Sequence, residues 1–376
     1  MRKERTLTNA TFVYSKNELG YAPLLEEMKN AREVTIITYN ISERQHQLLD
    51  CLKATPNDCD ISIITNIPNR WEEYYNTQRG NDYRIRARQK IQIYMTKLAP
   101  EEFGQKASVY FNFSNHGKII MTDTSAYIGS ANFSEESAKN IEFGFIVKDA
   151  DFLSFMKQTL IPEIKEQSVP YYEYDYTALL LEANMLMAAF WGTHNELDDE
   201  VYFTEDDHHG VRRYYNNLYD TLSNATLSRL KDVSHDCISV AREIADALYE
   251  ICGEDSAEYN SVYQQLEQLE EISSEIESLI SEETIVELAN FDSESYIHEL
   301  LEHDYAMEAY EENLEHYVDL ASDRSSSKLY DLCEDAQQDL DVLLRKSDSF
   351  HTLYEQIISL FSAQEIKKIS SEIDNT

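Results

Sequence analysis

Residues 116–132 read His116-Gly117-Lys118-Ile119-Ile120-Met121-Thr122-Asp123-Thr124-Ser125-Ala126-Tyr127-Ile128-Gly129-Ser130-Ala131-Asn132. If the start of this stretch is a strand, period-2 alternation puts His116 and Lys118 on one face with Ile120, while Ile119 and Met121 point the other way. Asp123 and Thr124 mark a turn, and Ala126-Tyr127-Ile128 reads as a second short strand. Such a hairpin returns Gly129, Ser130 and Asn132 to the side of His116 and Lys118. A nucleophile, a cation and two hydrogen-bonding side chains then meet at one point, which is the equipment for holding and attacking a phosphate.

The spacing H-x-K-x4-D followed by G-S-x-N resembles the signature of the phospholipase D superfamily. Its positions fall here on His116, Lys118, Asp123, Gly129, Ser130 and Asn132, with five residues between Asp123 and Gly129 where the family usually has six. Family members often carry a glutamate on the next strand, and Asn140-Ile141-Glu142-Phe143-Gly144-Phe145-Ile146-Val147 places Glu142 there. A lone H-x-K would read as ordinary strand residues beside a turn; the dense set argues against that reading. The resemblance extends loosely over residues 8 to about 168. It implies catalytic roles for His116, Lys118, Asp123, Ser130, Asn132 and Glu142, and a substrate-binding role for Gly129.

The flanking sequence alternates in the manner of an α/β protein. Strands are expected at Ala10–Tyr14, Glu33–Thr38, Asp60–Thr65 and Ala107–Phe113. Helices are expected at Tyr21–Asn30, Glu43–Lys53 and Asp151 to about Ile164, with a polar helical region ending near Lys97. Repeated βαβ units argue for a mixed-sheet sandwich, the architecture the resemblance also implies. Beyond residue 170 strand signals are few and Pro is absent. Tyr259–Ala289 spaces Val262, Leu266, Leu269, Ile272, Ile276, Leu279 and Ile280 at helical intervals, and similar stretches run over 176–190, 212–251, 293–320 and 328–369. The expectation is an all-α bundle of five or six helices, its Leu and Ile stripes forming core.

Charge divides the chain at the same place. Residues 1–168 hold 21 Lys and Arg against 22 Asp and Glu, a balance of −1; the remaining residues hold 11 against 48, or −37. The expected domains are therefore 1–168 and 169–376, meeting near Ser168-Val169-Pro170. Five scattered cysteines form no CxxC pair and no zinc spacing, so free thiols in a reducing cytosol are expected. No apolar run reaches the length of a membrane span, and the charged first residues are not followed by the apolar segment of a secretory signal.

Arg79, Arg84, Arg86, Arg88 and Lys90, with Tyr75, Tyr83 and Tyr94 among them, form the one basic cluster. It either tracks a phosphate backbone, with Arg84, Arg86 and Arg88 as substrate-binding residues, or is a solvated helix face paired to acids of the second domain. Asp206-Asp207-His208-His209 has metal-ligand residue types, but adjacent residues seldom converge on one ion, so a loop is expected and no metal. Trp71 and Trp191 read as core anchors.

The resemblance implies a phosphohistidine mechanism without cofactor. His116 attacks, Glu142 holds its tautomer, and Lys118, Ser130 and Asn132 stabilise the phosphoryl charge. The family takes its second histidine from a second motif copy. No other histidine here has a lysine two residues on, so the expectation is a homodimer with the site at its two-fold axis. Single-motif bacterial members are mostly nucleases, which points to DNA or RNA as the partner, in a cytoplasmic setting and, by family habit, one of host defence or DNA modification. A phospholipid headgroup is the enzymatic alternative, and a non-catalytic dimeric adaptor is the other. The charge of −37 opposes both anionic lipid and nucleic acid. The acidic domain then faces away from the site, covers it until displaced, or docks a basic partner protein.

Overall fold

A computed structural model describes residues 9–68, 82–104, 106–171, 176–207, 210–215, 222–303 and 313–373. Two compact units divide the chain, residues 1–70 with 81–185 and residues 71–80 with 186–376.

The first unit is built on an eight-stranded mixed sheet of order β1-β7-β6-β5-β2-β3-β4-β8. Its strands are β1 (Ala10–Lys16), β2 (Glu33–Thr38), β3 (Asp60–Thr65), β4 (Ala107–Phe111), β5 (Ile119–Thr122), β6 (Ala126–Gly129), β7 (Ile141–Val147) and β8 (Val169–Pro170). The middle strands β2 and β3 pair in parallel and are buried on both faces, hence their nearly unbroken apolar sequences. Val34, Ile36, Ile61 and Ile63 face a core shared with α1 (Ala22–Met28), α2 (Gln47–Lys53) and α3 (Asp82–Leu98). Ile37 and Ile64 face the other side, where Phe152, Leu153, Met156 and Ile161 cover them. Those four come from α4 (Ala150–Phe155), a π-helical turn (Met156–Leu160) and α5 (Ile161–Glu166). Asp149 starts that rod, its carboxylate accepting from the Phe152 N–H at 2.9 Å.

The first unit runs further than charge alone places it. Val169 and Pro170 add a short strand to β4, pairing with Phe111 and Tyr110. The first turns of α6 (Thr177–Val201) then insert Leu181 and Met185 into the core beside α1 and α3. Burial of these side chains keeps residues up to 185 with the α/β unit, so the units part inside a helix rather than at Ser168.

The second unit contains the rest of α6, then α7 (Asn224–Cys252), α8 (Ala257–Ile280), α9 (Glu283–Asn290), α10 (Ser293–His303) and α11 (Leu314–Ile373). Val262, Leu266, Leu269 and Ile276 are buried as their spacing implies. Two features depart from the expected all-α bundle. A hairpin, β9 (Tyr202–Asp207) and β10 (Gly210–Tyr215), occupies the region where the helical stretch 212–251 was expected to begin. Cross-strand aromatic pairs hold it, Phe203 on Tyr214 at 5.3 Å and Tyr202 against Tyr215 at 5.7 Å. The second departure is α11, which runs through the polar segment Asp323-Arg324-Ser325-Ser326-Ser327 without a break. There Ser327 bonds the Asp323 carbonyl one turn back, and buried Ser325 meets Ser293 at 2.6 Å. Local and tertiary hydrogen bonds satisfy the hydroxyls that would otherwise favour a turn.

Candidate active site

β2, β3 and β4 run parallel, whereas β5 returns antiparallel on the opposite side of β2. The chain direction changes between β2 and β5, and a mixed sheet of this kind opens a crevice beyond the carboxyl ends of its parallel strands at such a point. His116, Lys118, Ser130 and Asn132 of the motif lie on that edge. Residues 116–118 are loop rather than strand, and β5 begins at Ile119.

Three asparagines knit the edge together. Asn115 donates to the Thr38 carbonyl at 2.8 Å and accepts from the Gly117 N–H at 3.0 Å, which fixes the backbone around His116. Asn66, after β3, donates to the Phe113 and Asn115 carbonyls at 2.9 and 3.3 Å. Asn132, after β6, accepts through Oδ1 from the Tyr39 N–H at 3.2 Å and from the Thr38 hydroxyl at 3.4 Å. Sequence reading singled out Asn132 alone. Asn66 and Asn115 carry no motif, and only their positions just past the ends of strands could have pointed to them.

His116 is exposed, its ring 4.8 Å from that of Tyr39 at 60°. Lys118 is 9% exposed; its ammonium donates to the His116 carbonyl at 2.5 Å and stands 5.2 Å from the centre of the Tyr39 ring. Burial pushes the Lys118 pKa down, and the charge of Glu142 opposes that shift. Tyr39 therefore touches both motif side chains, although nothing in its sequence context marks it beyond its place at the end of β2.

Glu142 is buried at 7% exposure on β7. The Ser130 hydroxyl donates to it, and the Asn140 amide lies 3.5 Å away. Ser130 also accepts from the Phe143 N–H at 3.0 Å. The expected bond from Glu142 to the imidazole is not made; among the described residues no hydrogen bond reaches the His116 ring. Glu142 lies across β6 from His116, and Ser130 intercepts it.

Two further motif residues, Asp123 and Gly129, are tied to other parts of the hairpin. Asp123 lies at the other end of the hairpin, at the β5–β6 turn, where its carboxylate accepts from the Arg32 N–H at 3.1 Å. It stands roughly five strand residues, or about 15 Å, from Lys118. At Gly129 the fold requires the absence of a side chain. A Cβ there would stand 2.4 Å from the Phe143 carbonyl oxygen and the Tyr127 hydroxyl, and one at Gly144 would stand 2.5 Å from the Tyr127 ring. Both glycines make room for the fully buried Tyr127 under the hairpin.

The basic cluster is helical, and Arg84 and Arg88 share one face of α3. Their Nε atoms donate to the two oxygens of buried Glu182 at 2.8 and 2.7 Å. This pairing is the one the second alternative anticipates, since a buried carboxylate demands such partners. Arg86 is exposed. Lys90 donates to the Pro68 carbonyl at 2.9 Å and Tyr94 is buried, so this helix braces the loops after β2 and β3. Arg79, Tyr75, Trp71 and the Tyr83 side chain lie outside the described residues. In the second unit Asp206 and Asp207 end β9, and His208 and His209 lie outside the described residues. Among the described residues no group of three or more His, Cys, Asp or Glu side chains is placed to hold a metal. Trp191 is no core anchor; it is partly exposed and stacks between His194 and His351 at 4.7 and 4.4 Å.

Comparison with known proteins addresses the first unit. The sequence family described as cardiolipin synthase, PLD-like domain, matches residues 24–164. Among solved structures the chain is similar to a phospholipase D family member, Nuc from Salmonella typhimurium. That similarity has 13% identity and a TM-score of 0.31, covering 44% of this chain and 98% of that one. It is also similar to NucT from Helicobacter pylori, with 18% identity, a TM-score of 0.30, and coverage of 43% and 100%. No curated protein sequence matches the chain. The mixed sheet, the H-x-K and G-S-x-N elements on its switch-point edge and the family match coincide over the same residues, and the α/β unit of this chain belongs to the phospholipase D superfamily.

Proposed function

We propose that the α/β unit is a phosphodiesterase that cleaves nucleic acid through a phosphohistidine. One observation carries the proposal: an exposed imidazole, His116, stands beside a nearly buried ammonium, Lys118, on the edge where a mixed sheet binds ligands. A lone pair of His116 attacks phosphorus, a P–N bond forms, and the P–O bond to the leaving alkoxide breaks. Lys118 supplies positive charge to the phosphoryl oxygens where water is largely excluded, so that charge acts at low screening. The Asn132 Nδ2 has no hydrogen bond among the described residues and is suited to a phosphoryl oxygen. Ser130 acts by holding Glu142 in place near the Lys118 ammonium.

The leaving oxygen needs a proton, and this chain offers no second motif histidine. The partner's His116 supplies it across a homodimer axis, then takes a proton from the water that hydrolyses the P–N bond. The test is turnover of bis(p-nitrophenyl) phosphate and of single-stranded and duplex DNA in EDTA. Retained activity that vanishes in His116→Ala supports the mechanism; loss in EDTA restored by Mg²⁺ overturns it.

The description of the matching family names cardiolipin synthase, and this favours a second reading, action on a phospholipid diester. No helix among the described residues is long and apolar enough to cross a membrane. Adding phosphatidylglycerol vesicles to the same assay separates the readings, since release of glycerol without DNA cleavage selects the lipid.

A further inference from the structure

We infer that Tyr39 is a positioning residue of the site: its ring orients the His116 imidazole and spaces it from the Lys118 ammonium. The inference rests on the reading of His116 as the nucleophile.

The imidazole needs something to hold it. A histidine attacks phosphorus only with its lone pair on the line of attack, and a hydrogen bond to its other ring nitrogen ordinarily sets that line. Among the described residues no hydrogen bond reaches this ring. Glu142, to which the sequence assigns the task, accepts from the Ser130 hydroxyl instead, with the Asn140 amide 3.5 Å away. The contact that the His116 ring does make is with Tyr39, centre to centre at 4.8 Å and tilted by 60°. Tilted rings attract at that separation, because the positive edge of one meets the negative face of the other. An exposed side chain thereby gains one preferred orientation.

Tyr39 can orient another ring because its own backbone is pinned. Its N–H donates to Asn132 Oδ1 at 3.2 Å. The Thr38 carbonyl before it accepts from the Asn115 amide at 2.8 Å, and the Asn40 carbonyl after it accepts from the Thr38 hydroxyl at 2.9 Å. The Ile41 N–H donates to the hydroxyl of buried Tyr94 on α3 at 3.4 Å. Asn115 immediately precedes His116, and Asn132 follows Ser130 by two residues. These bonds therefore fasten Tyr39 to both flanks of the segment that carries the motif.

The second contact is with the lysine. The Lys118 ammonium stands 5.2 Å from the centre of the Tyr39 ring, within cation–π range. A lysine stem is otherwise flexible, and an unheld ammonium would wander relative to the phosphoryl oxygens. A carboxylate in this place would also hold it, but would cancel the charge that the substrate is to feel. An aromatic ring attracts the ammonium and leaves its charge intact. One neutral ring thus touches nucleophile and cation together and exchanges no proton with either. Both contacts are made by the ring, so a phenyl ring can replace the phenol and an aliphatic side chain cannot.

The experiment uses the full-length chain with Tyr39→Leu and Tyr39→Phe, assayed on bis(p-nitrophenyl) phosphate in EDTA. Tyr39→Leu is expected to lower kcat by about 10- to 10²-fold with KM within about threefold of the parent, the cost of a misplaced reacting group. Tyr39→Phe is expected to restore kcat to within about threefold. A second readout needs no turnover. In carbon–proton spectra of histidine-labelled protein the His116 ring signals, assigned by their loss in His116→Ala, carry the ring-current displacement of a neighbouring aromatic. They are expected to move by several tenths of a ppm in Tyr39→Leu and to stay in Tyr39→Phe. A folded Tyr39→Leu protein with parental kcat overturns the inference. So does a Tyr39→Phe protein as impaired as Tyr39→Leu, which would give the role to the hydroxyl, and so do His116 signals that ignore the loss of the ring. A parent without activity in EDTA overturns the phosphohistidine reading instead, and the displacement of the His116 signals then decides the positioning by itself.

Discussion

The β5–β6 hairpin has two ends, and they do opposite work. At the site end an exposed histidine, a buried lysine and a serine tied to a buried glutamate converge on the switch-point edge. At the turn end the polar groups are spent on the fold. Asp123 takes the Arg32 N–H, and Glu27 of α1 accepts from the hydroxyls of Thr122, Thr124 and Ser125, the first two at 3.1 and 3.0 Å. Both ends belong to one motif of seventeen residues. A motif therefore records what must be kept, and only position in the sheet says whether it is kept for chemistry or for folding.

Substitutions at the site end carry the largest expected effects. His116→Ala should lower kcat by roughly 10³-fold or more, since in the proposed mechanism the imidazole forms the covalent intermediate. Its thermal midpoint should stay near that of the parent, because the imidazole is exposed. Lys118→Ala should lower kcat by about 10²–10³-fold through lost charge stabilisation. A midpoint that falls with the rate in both variants would break the comparison, making this end structural as well.

Between these extremes lies Gly129, at the site end but with a steric role. A Cβ there meets the Phe143 carbonyl at 2.4 Å, a backbone atom that cannot rotate away. Gly129→Ala should cost about 1–3 kcal/mol in denaturant unfolding. Arg84→Gln should cost a similar 1–3 kcal/mol by weakening the clamp on Glu182. It should leave the salt dependence of DNA binding unchanged; a slope shallower by about one unit would return Arg84 to the substrate track.

pH should separate the ends by sign. Lys118, its pKa lowered by burial, must be protonated to act, so activity should fall as pH rises through that lowered value. Burial pushes the Glu27 pKa up, but the three hydroxyl donors and Lys148 outweigh it and hold it below the usual carboxylate range. A depressed carboxyl contributes stability above its unfolded pKa and loses it as pH falls through the folded one. Melting of Glu27→Gln across the acid range should therefore show a flatter decline than the parent. Identical declines would remove Glu27 from the account of the turn end.

The sequence made the site end more legible than the loops that brace it. β2, β3 and β7 could be read because their apolar patterns and Glu142 sit on period-2 backbones, and the structure places β2 and β3 at the expected residues. Tyr39, Asn66 and Asn115 could not, because their roles come from strand ends that meet only after the sheet assembles. Arg84 and Arg88 were legible as basic but not as partners of Glu182, which lies 94 residues or more away in the chain. The β9–β10 hairpin escaped because six-residue strands between long helical patterns give periodicity little to act on. Its stability comes from cross-strand rings and from Tyr215 donating to the Cys333 carbonyl of α11 at 2.6 Å.

Asp123 offers the smallest effect and the sharpest test of the comparison. The motif ranks it with His116 and Lys118, yet among the described residues its side chain bonds a backbone N–H ahead of β2, at an exposed position. That bond joins the turn to the residue whose carbonyl also accepts from Asp60 at 2.9 Å, so it helps align β5, β2 and β3 at the end remote from the site. An exposed hydrogen bond of this kind contributes about 0.5–1.5 kcal/mol. Asp123→Ala should therefore lower unfolding free energy by that amount and leave kcat and KM within about twofold, since sites this far apart and sharing no partner act nearly independently. Asp123→Asn should recover part of the stability, because its amide oxygen can still accept from Arg32. A hundredfold loss of kcat in a folded Asp123→Ala protein would place the catalytic apparatus at both ends of the hairpin and end the distinction between them.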